Sequence, residues 1–244
     1  MKLSWQDSGK TDRYLFYKTM KEAIILAHGA YPTHPYPLRI LRTAKLLVCT
    51  DGAVNKLQDR DPDFIVGDLD SLTPALKEKF GSRLIRDTDR ETNDLTKAVL
   101  FCYNKGIRKI TILGATGLRE DHTLGNVSLL GNYAIMMESV KMVTDHGVFT
   151  VFARGVPDNE GFIHVTIPCV PEEPVSFFAL NPDMKLMAKG VRYPVEQVVF
   201  DAWWKATLNQ CTGKKLELSF RNGPLLVYLT HPFAGPEARD IQAG

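Results

Sequence analysis

Four stretches of this chain place carboxylates, amides and small residues where a metal ion or a phosphate group could be handled. The densest is Pro62 to Leu72, Pro-Asp-Phe-Ile-Val-Gly-Asp-Leu-Asp-Ser-Leu. A short apolar run, Phe64-Ile65-Val66, ends at Gly67, and Asp68 and Asp70 follow with only Leu69 between them. In an extended segment residues i and i+2 point to the same side, so both carboxylates are expected to face one point. Two crowded carboxylates repel, and a hard cation with oxygen ligands, Mg²⁺ above all, relieves that repulsion. Ser71 adds a hydroxyl, and Thr73-Pro74 reads as a helix start. A polar loop of turn formers and caps would have the same composition. The stretch alone does not decide between the two.

The other three stretches repeat the arrangement. Leu46 to Thr50 is a strand-like run that ends in Asp51-Gly52-Ala53, the opening of a helix expected to reach about Gln58. Asp51 suits an N-cap. The same carboxylate and the Gly52 backbone could also meet a ribose or a phosphate at that helix start. Asp87 to Lys97 reads Asp-Thr-Asp-Arg-Glu-Thr-Asn-Asp-Leu-Thr-Lys and leads into a helical pattern, with Thr92 as the expected cap. Asp94 and Lys97, three apart, share a helix face. They read either as an exposed ion pair worth little or as a metal- or phosphate-facing acid with a lysine on phosphate oxygens. Lys109 to Leu113 ends in Gly114-Ala115-Thr116-Gly117, a small-residue loop of the kind that turns backbone N–H groups toward phosphate. It is neither a Walker A loop nor a GxGxxG turn. Arg119 then offers a planar cation suited to phosphate oxygens. Asp121 suits a metal ligand, a general base or a helix cap. His28-Gly29, after the strand Ala23 to Ala27, reads as a structural loop pair rather than a catalytic one.

These groups meet only if strands carry them to one edge. In an open parallel sheet the carboxyl ends of the strands share an edge, and ligands bind there. Asp51, Asp68, Asp70 and Asp121 would converge on that edge. The fold class expected is therefore α/β: an N-terminal open, mostly parallel sheet with flanking helices over residues 21–155, preceded by an extension, residues 1–20, in which Tyr14 to Tyr17 could form an extra strand. The pattern changes at Arg154 to Gly161, a turn-rich linker. Beyond it, short runs at 162–167, 175–179, 185–188, 195–200, 216–220 and 225–229 predict a C-terminal all-β sandwich over 160–235. Asn222-Gly223 is expected to turn a hairpin between the last two runs. Trp203 and Trp204 suit stacking on a flat or cationic ligand, or packing at a contact.

Bulk properties narrow the function classes. With 244 residues the chain can bury a sizeable core. The formal net charge of +2 argues against a nucleic-acid partner held by bulk electrostatics. The four cysteines are widely spaced, and Cys49 and Cys102 fall in apolar runs, so buried free thiols are expected rather than disulfides. The polar N-terminus predicts no signal peptide, no apolar run approaches the length of a membrane span, and a cytoplasmic location is expected.

The ordered motifs Asp51-Gly52-Ala53, Gly67-Asp68-Leu69-Asp70-Ser71, Thr92-Asn93-Asp94-Leu95-Thr96-Lys97-Ala98 and Gly114-Ala115-Thr116-Gly117-Leu118-Arg119-Glu120-Asp121-His122, with Leu124 and Asn126 beyond, resemble those of the thiamin pyrophosphokinases. The likeness is specific over about residues 23–135 and loose beyond. It implies an ATP- and Mg²⁺-binding α/β domain followed by a thiamin-binding β-sandwich, homodimers, and transfer of the diphosphoryl group of ATP to the hydroxyl of thiamin with release of AMP. Carried over by position, it implies Asp68, Asp70 and Asp121 as metal ligands. Asp94 and Arg119 join them as catalytic residues. Asp51, Gly52, Gly67, Ser71, Thr92, Lys97, Gly114, Thr116, Gly117, His122 and Asn126 are implied on the nucleotide and its phosphates. The family commonly has Gly where Leu118 stands and often Asn where His28 stands. Its C-terminal Ser-Asn pair corresponds here to Leu208-Asn209, so Trp204 and Asn209 are the implied thiamin contacts. Phosphoryl transfer asks for positioning and charge neutralisation rather than a protein nucleophile, which suits an acidic cluster with Lys97 and Arg119. A Mg²⁺-dependent phosphohydrolase and a non-catalytic thiamin- or nucleotide-binding module are the alternatives.

Overall fold

The computed structural model describes residues 20–58 and 60–231. The expected extra strand at Tyr14 to Tyr17 lies outside the described residues.

In chain order the N-terminal part runs β1 (Glu22–Leu26), α1 (Pro35–Thr43), β2 (Leu47–Thr50), a 3₁₀ turn (Asp51–Lys56), β3 (Phe64–Gly67), α2 (Pro74–Phe80), β4 (Leu84–Arg86), α3 (Asp94–Asn104), β5 (Lys109–Leu113), α4 (Glu120–Met136), β6 (Ser139–Val143) and β7 (Gly147–Phe152). The C-terminal part is β8 (Ile163–Pro168), β9 (Pro174–Ala179), β10 (Lys185–Lys189), β11 (Asn209–Gln210), β12 (Lys215–Arg221) and β13 (Leu225–Thr230).

β1 to β6 pair parallel in the order β6-β5-β1-β2-β3-β4. Both faces of this sheet are covered, which is why its strands read as continuous apolar runs rather than alternating ones. On one face α3 and α4 press Leu95, Ala98, Val99, Cys102, Val127, Leu130 and Tyr133 against β1, β5 and β6. On the other, Leu41 of α1, Ala53 and Val54 of the 3₁₀ turn, Leu72, and Phe80 of α2 close over Leu47, Cys49 and Ile65. Burial pushes the thiols of Cys49 and Cys102 up to about 12, and all four cysteines are buried thiols outside any disulfide. They are packing residues, as expected.

β7 turns back antiparallel to β6, and β13, β9 and β11 continue outward from it, so among the described residues a single sheet of ten strands runs through both parts. A second, antiparallel sheet, β10-β12-β8, packs on that extension. Phe177, Leu186, Leu216, Leu218, Phe220, Leu225 and Val227 fill the space between the two. This is the expected two-part architecture, with the inner sheet of the C-terminal part fused to the N-terminal one.

Two local expectations differ. Residues 195–200 form turns, not a strand, although Val195 and Phe200 are buried. Their spacing serves two separate core anchors, a pattern that periodicity alone cannot tell from a strand. Asn222-Gly223 has the left-handed φ values its sequence suggests, 67° and 130°. It nevertheless joins β12 and β13, which lie in different sheets. Its tip packs on Asn181 instead, so that a Cβ at Gly223 would come 2.8 Å from the Asn181 Cβ.

Candidate active site

The strand ends assemble an acidic group on one side of a cleft. Asp51, directly after β2, is 3% exposed. It sits against the end of β3, where Gly67 leaves room: a Cβ at Gly67 would lie 3.1 Å from the Asp51 Cγ. Its carboxyl is within hydrogen-bond reach of Asp68. Its Oδ2 is buried without a partner in the structure. Burial pushes the Asp51 carboxyl above the ordinary carboxylate range, the charge of Asp94 adds to this, and backbone N–H groups at Gly52 and Ser71 only partly offset them.

The extended geometry expected to bring the Asp68 and Asp70 carboxylates to one side does not form. The chain leaves the extended conformation at Leu69, whose φ of 68° is rare for a residue with a Cβ. The Leu69 side chain is buried. This anchored left-handed residue folds Asp70 back so that its backbone N–H donates to Asp68 Oδ1 at 3.1 Å. That bond, ahead of contributions from Asp51, Lys97 and Arg86, holds Asp68 below the ordinary range. Asp70 is exposed beside it. Such strained residues gather where function needs an otherwise unfavourable geometry.

α3 supplies the counter-charge. Asn93, not Thr92, caps it, its Oδ1 accepting from the Thr96 N–H at 2.8 Å. Thr92 instead donates its hydroxyl hydrogen to Asp89 at 2.9 Å. The cap places Asp94 and Lys97 on the first turn, and Lys97 Nζ lies 3.2 Å from Asp94 Oδ1. Lys97 is 5% exposed, so the pair is not the solvent-screened one its spacing first suggests. Lys97 is the cation buried among the acids.

The opposite side is the Gly-rich loop. Gly114, at φ 63°, keeps the loop close to β1: a Cβ there would lie 2.8 Å from the Ala27 carbonyl. The loop and the segment after β1 are zipped together by Ala27 N–H to Leu113 O at 2.8 Å, Gly29 N–H to Gly114 O at 2.5 Å, and Ala30 N–H to Thr116 O at 2.8 Å. Asn126 of α4 donates to the Ala115 carbonyl at 2.8 Å and accepts weakly from Asn93 at 3.4 Å, tying the loop to the start of α3. Arg119 and Asp121 form a double contact, Nε to Oδ1 at 3.0 Å and Nη2 to Oδ2 at 2.5 Å. Arg119 holds the Asp121 carboxyl well below its usual range. Both are exposed, as are Gly117 and His122.

Between the two sides lies a cleft of about 370 Å³, lined by His28, Gly29, Thr50, Asn93, Asp94, Thr116, Arg119, His122 and Asn126, with Leu118 at its edge. Asp94 reaches it from the acidic side, while Asp51 and Lys97 lie behind. Trp204 and Asn209 belong to the C-terminal part. Trp204 is 72% exposed. The Asn209 side chain is committed to backbone, accepting from Tyr193 and Gln210 and donating to the Tyr193 carbonyl. Among the described residues no group of three or more His, Cys, Asp or Glu side chains is placed to hold a metal ion. Sequence reading missed Asn93 as a cap and cleft residue and set His28 aside. The Asx-type capping preference of Asn could have found the first, whereas the second needs the topology.

With this geometry established, the chain can be compared with known proteins. Residues 38–144 match the family model described as thiamin pyrophosphokinase, catalytic domain, and residues 164–228 match the model described as thiamin pyrophosphokinase, substrate-binding domain. The chain belongs to the thiamin pyrophosphokinase family. That family consists of diphosphotransferases acting on ATP and thiamin. Thiamine pyrophosphokinases 3 and 1 of Oryza sativa subsp. japonica are 35% and 33% identical over 119 and 118 residues, 38% and 37% of this chain. The chain spans 45% of the length of each of these curated relatives. Among solved structures, the thiamin pyrophosphokinase of Geobacillus thermodenitrificans superposes with a TM-score of 0.69 at 22% identity, covering 87% of this chain and 99% of that one. The Candida albicans enzyme gives 0.66 at 16%, covering 88% and 90%. These structures agree in fold. The matches support the kinase reading and lend nothing to the hydrolase or binding-module alternatives.

Proposed function

We propose that this protein transfers the diphosphoryl group of ATP to the hydroxyl of thiamin, giving thiamin diphosphate and AMP. The observation that carries the reading is the acidic group at the ends of β2 and β3, where among the described residues Asp51 Oδ2 is buried without a hydrogen-bond partner and Lys97 is the only buried cation. Crowded, partly unsatisfied carboxylates of this kind fit Mg²⁺, which binds through one or two carboxylates together with substrate phosphates rather than in an all-protein cage. Asp68 and the exposed Asp70 would hold it, with Asp51 and Asp94 close by, and Asp121 would join them if phosphate engaged Arg119. Bound there, the metal would neutralise charge on the polyphosphate.

The protein's own groups do the rest. Lys97, buried behind the cleft, offsets the charge of the acids through Asp94 and Asp68, and would serve phosphate oxygens that reach past Asp94. The Gly-rich loop turns backbone donors toward the nucleotide. Arg119, already held flat by Asp121, moves its planar fork onto phosphate oxygens. Thiamin brings its own nucleophile, and Asp94, the acid that lines the cleft, is placed to accept the hydroxyl proton. Trp204, exposed in the C-terminal part, suits the cationic thiazolium. Residues 21–155 then form the catalytic unit and 160–235 the thiamin-binding unit, acting as a homodimer in the cytoplasm. Among the described residues no helix is long and apolar enough to cross a membrane.

The test is AMP release from ATP and Mg²⁺ with and without thiamin, with thiamin diphosphate followed by chromatography. Thiamin-dependent AMP in equal amount to thiamin diphosphate is the expected result. ADP or inorganic phosphate as product overturns it.

A further inference from the structure

We propose that His28 is a polyphosphate-binding residue, contacting the middle phosphoryl group of the nucleotide. This rests on the kinase reading and adds to it a contact that the sequence had set aside as structural.

β1 lies between β5 and β2 in the sheet. The Gly-rich loop leaves β5, and the acidic group leaves β2 and β3. A triphosphate that reaches from one to the other must cross the end of β1. His28 is the side chain that stands there, two residues past the strand, and it lines the cleft.

The site is built to hold the ring. The backbone on either side of His28 is fastened to the Gly-rich loop through Ala27, Gly29 and Ala30, and Lys56 Nζ donates to the Gly29 carbonyl at 2.8 Å. The ring itself lies over Gly52, where any Cβ would collide with it. Gly52 is the first residue after the buried Asp51, so its missing side chain is what admits the imidazole beside the acidic group. Yet the ring is exposed, and among the described residues neither of its nitrogens has a hydrogen-bond partner. A side chain whose place is cleared at Gly52 and whose ring nitrogens make no hydrogen bond among the described residues is poised for a ligand rather than for the fold. An imidazole N–H donated to a phosphate oxygen is a charge-assisted bond, stronger than a neutral one.

Isothermal titration with α,β-methylene-ATP and Mg²⁺ tests this, because the analogue cannot lose its diphosphoryl group. His28→Ala is expected to weaken the analogue about ten-fold, to weaken AMP less than two-fold, and to leave the melting temperature unchanged. His28→Asn, which keeps a donor, is expected to recover most of the loss. In turnover, His28→Ala is expected to lower kcat/KM for ATP, and His28→Asn to restore most of it. Analogue binding unaltered by His28→Ala removes His28 alone and leaves the kinase reading intact. Equal losses for the analogue and AMP also overturn the assignment, since they point to a loosened loop rather than a lost contact. A wild-type protein that binds no analogue removes the kinase reading and this contact with it.

Discussion

The two sides of the cleft handle charge in opposite ways. On the Gly-rich side, Arg119 and Asp121 satisfy each other in the open, two charges in solvent with matched geometry. On the acidic side, Asp68 and Asp94 share one buried lysine, and Asp51, beside both, keeps an oxygen without a hydrogen-bond partner among the described residues. The first side is complete before substrate arrives and must open to work. The second is incomplete and gains from a cation. Sequence spacing suggested the reverse for Asp94 and Lys97, which looked like a surface pair.

The largest effect should come from the acidic side. Asp68→Asn and Asp70→Asn are each expected to lower turnover by about 1000-fold or more while leaving the circular dichroism spectrum as it is. Near wild-type rates in either variant would remove the metal role assigned to that residue. Asp51→Asn is the sharper experiment, because activity and stability should move in opposite directions. Folding raises the Asp51 pKa through burial and Asp94, so the folded state disfavours the carboxylate. That penalty is absent below the ordinary value near 3.8 and is fully present above the raised one. Without metal or nucleotide, Asp51→Asn should therefore melt higher than wild type near pH 7, and the two should converge toward pH 3, even though turnover falls. A lower melting temperature for the variant at pH 7 would contradict the picture of unrelieved charge.

The Arg119–Asp121 side should respond more mildly. Arg119→Lys keeps the charge but loses the planar fork, and about a ten- to hundred-fold drop in kcat/KM for ATP is expected with no change in melting temperature. A stability loss there would place this exposed pair among the structural interactions. The smallest effect concerns Asp145, in the turn between β6 and β7, which accepts from the backbone N–H groups of Thr33 and His34 at 3.0 and 3.1 Å and from the Thr33 hydroxyl. Burial works against its charge, but these bonds outweigh that and hold its pKa below the ordinary range. Its contribution is thus present above about pH 4 and fades as pH falls through the depressed value. Asp145→Ala should cost about 1 kcal/mol near neutrality, readable by urea denaturation, and nothing in strong acid.

Much of this was legible in the chain. Strand ends announce themselves where an apolar run meets Gly or Asp, so the positions of Asp51, Asp68 and the Gly-rich loop could be read directly, and with them the parallel sheet. What could not be read depends on partners far away in sequence. The pairing of β7 with β13, 147–152 with 225–230, joins the two parts into one sheet, and nothing local in either strand names the other. The burial of Lys97 is set by what packs over α3, not by its neighbours in sequence. Leu69 looked like a spacer in an extended segment, whereas its buried side chain and left-handed backbone make it the pivot that positions Asp70.

The place of β13 in the large sheet has a consequence for how the molecule is made. β13 lies between β7 and β9, paired to both, yet among the described residues it is the last strand in chain order. Until residue 230 has left the ribosome, β7 keeps an open hydrogen-bonding edge and β9 has no neighbour on that side. The sheet therefore closes from the middle, late, and through contacts of long sequence separation, which are slow to form. A nascent or refolding chain passes through a stage with an unpaired apolar edge, the kind of surface that recruits a second chain, and the yield of active protein should fall as its concentration during refolding rises.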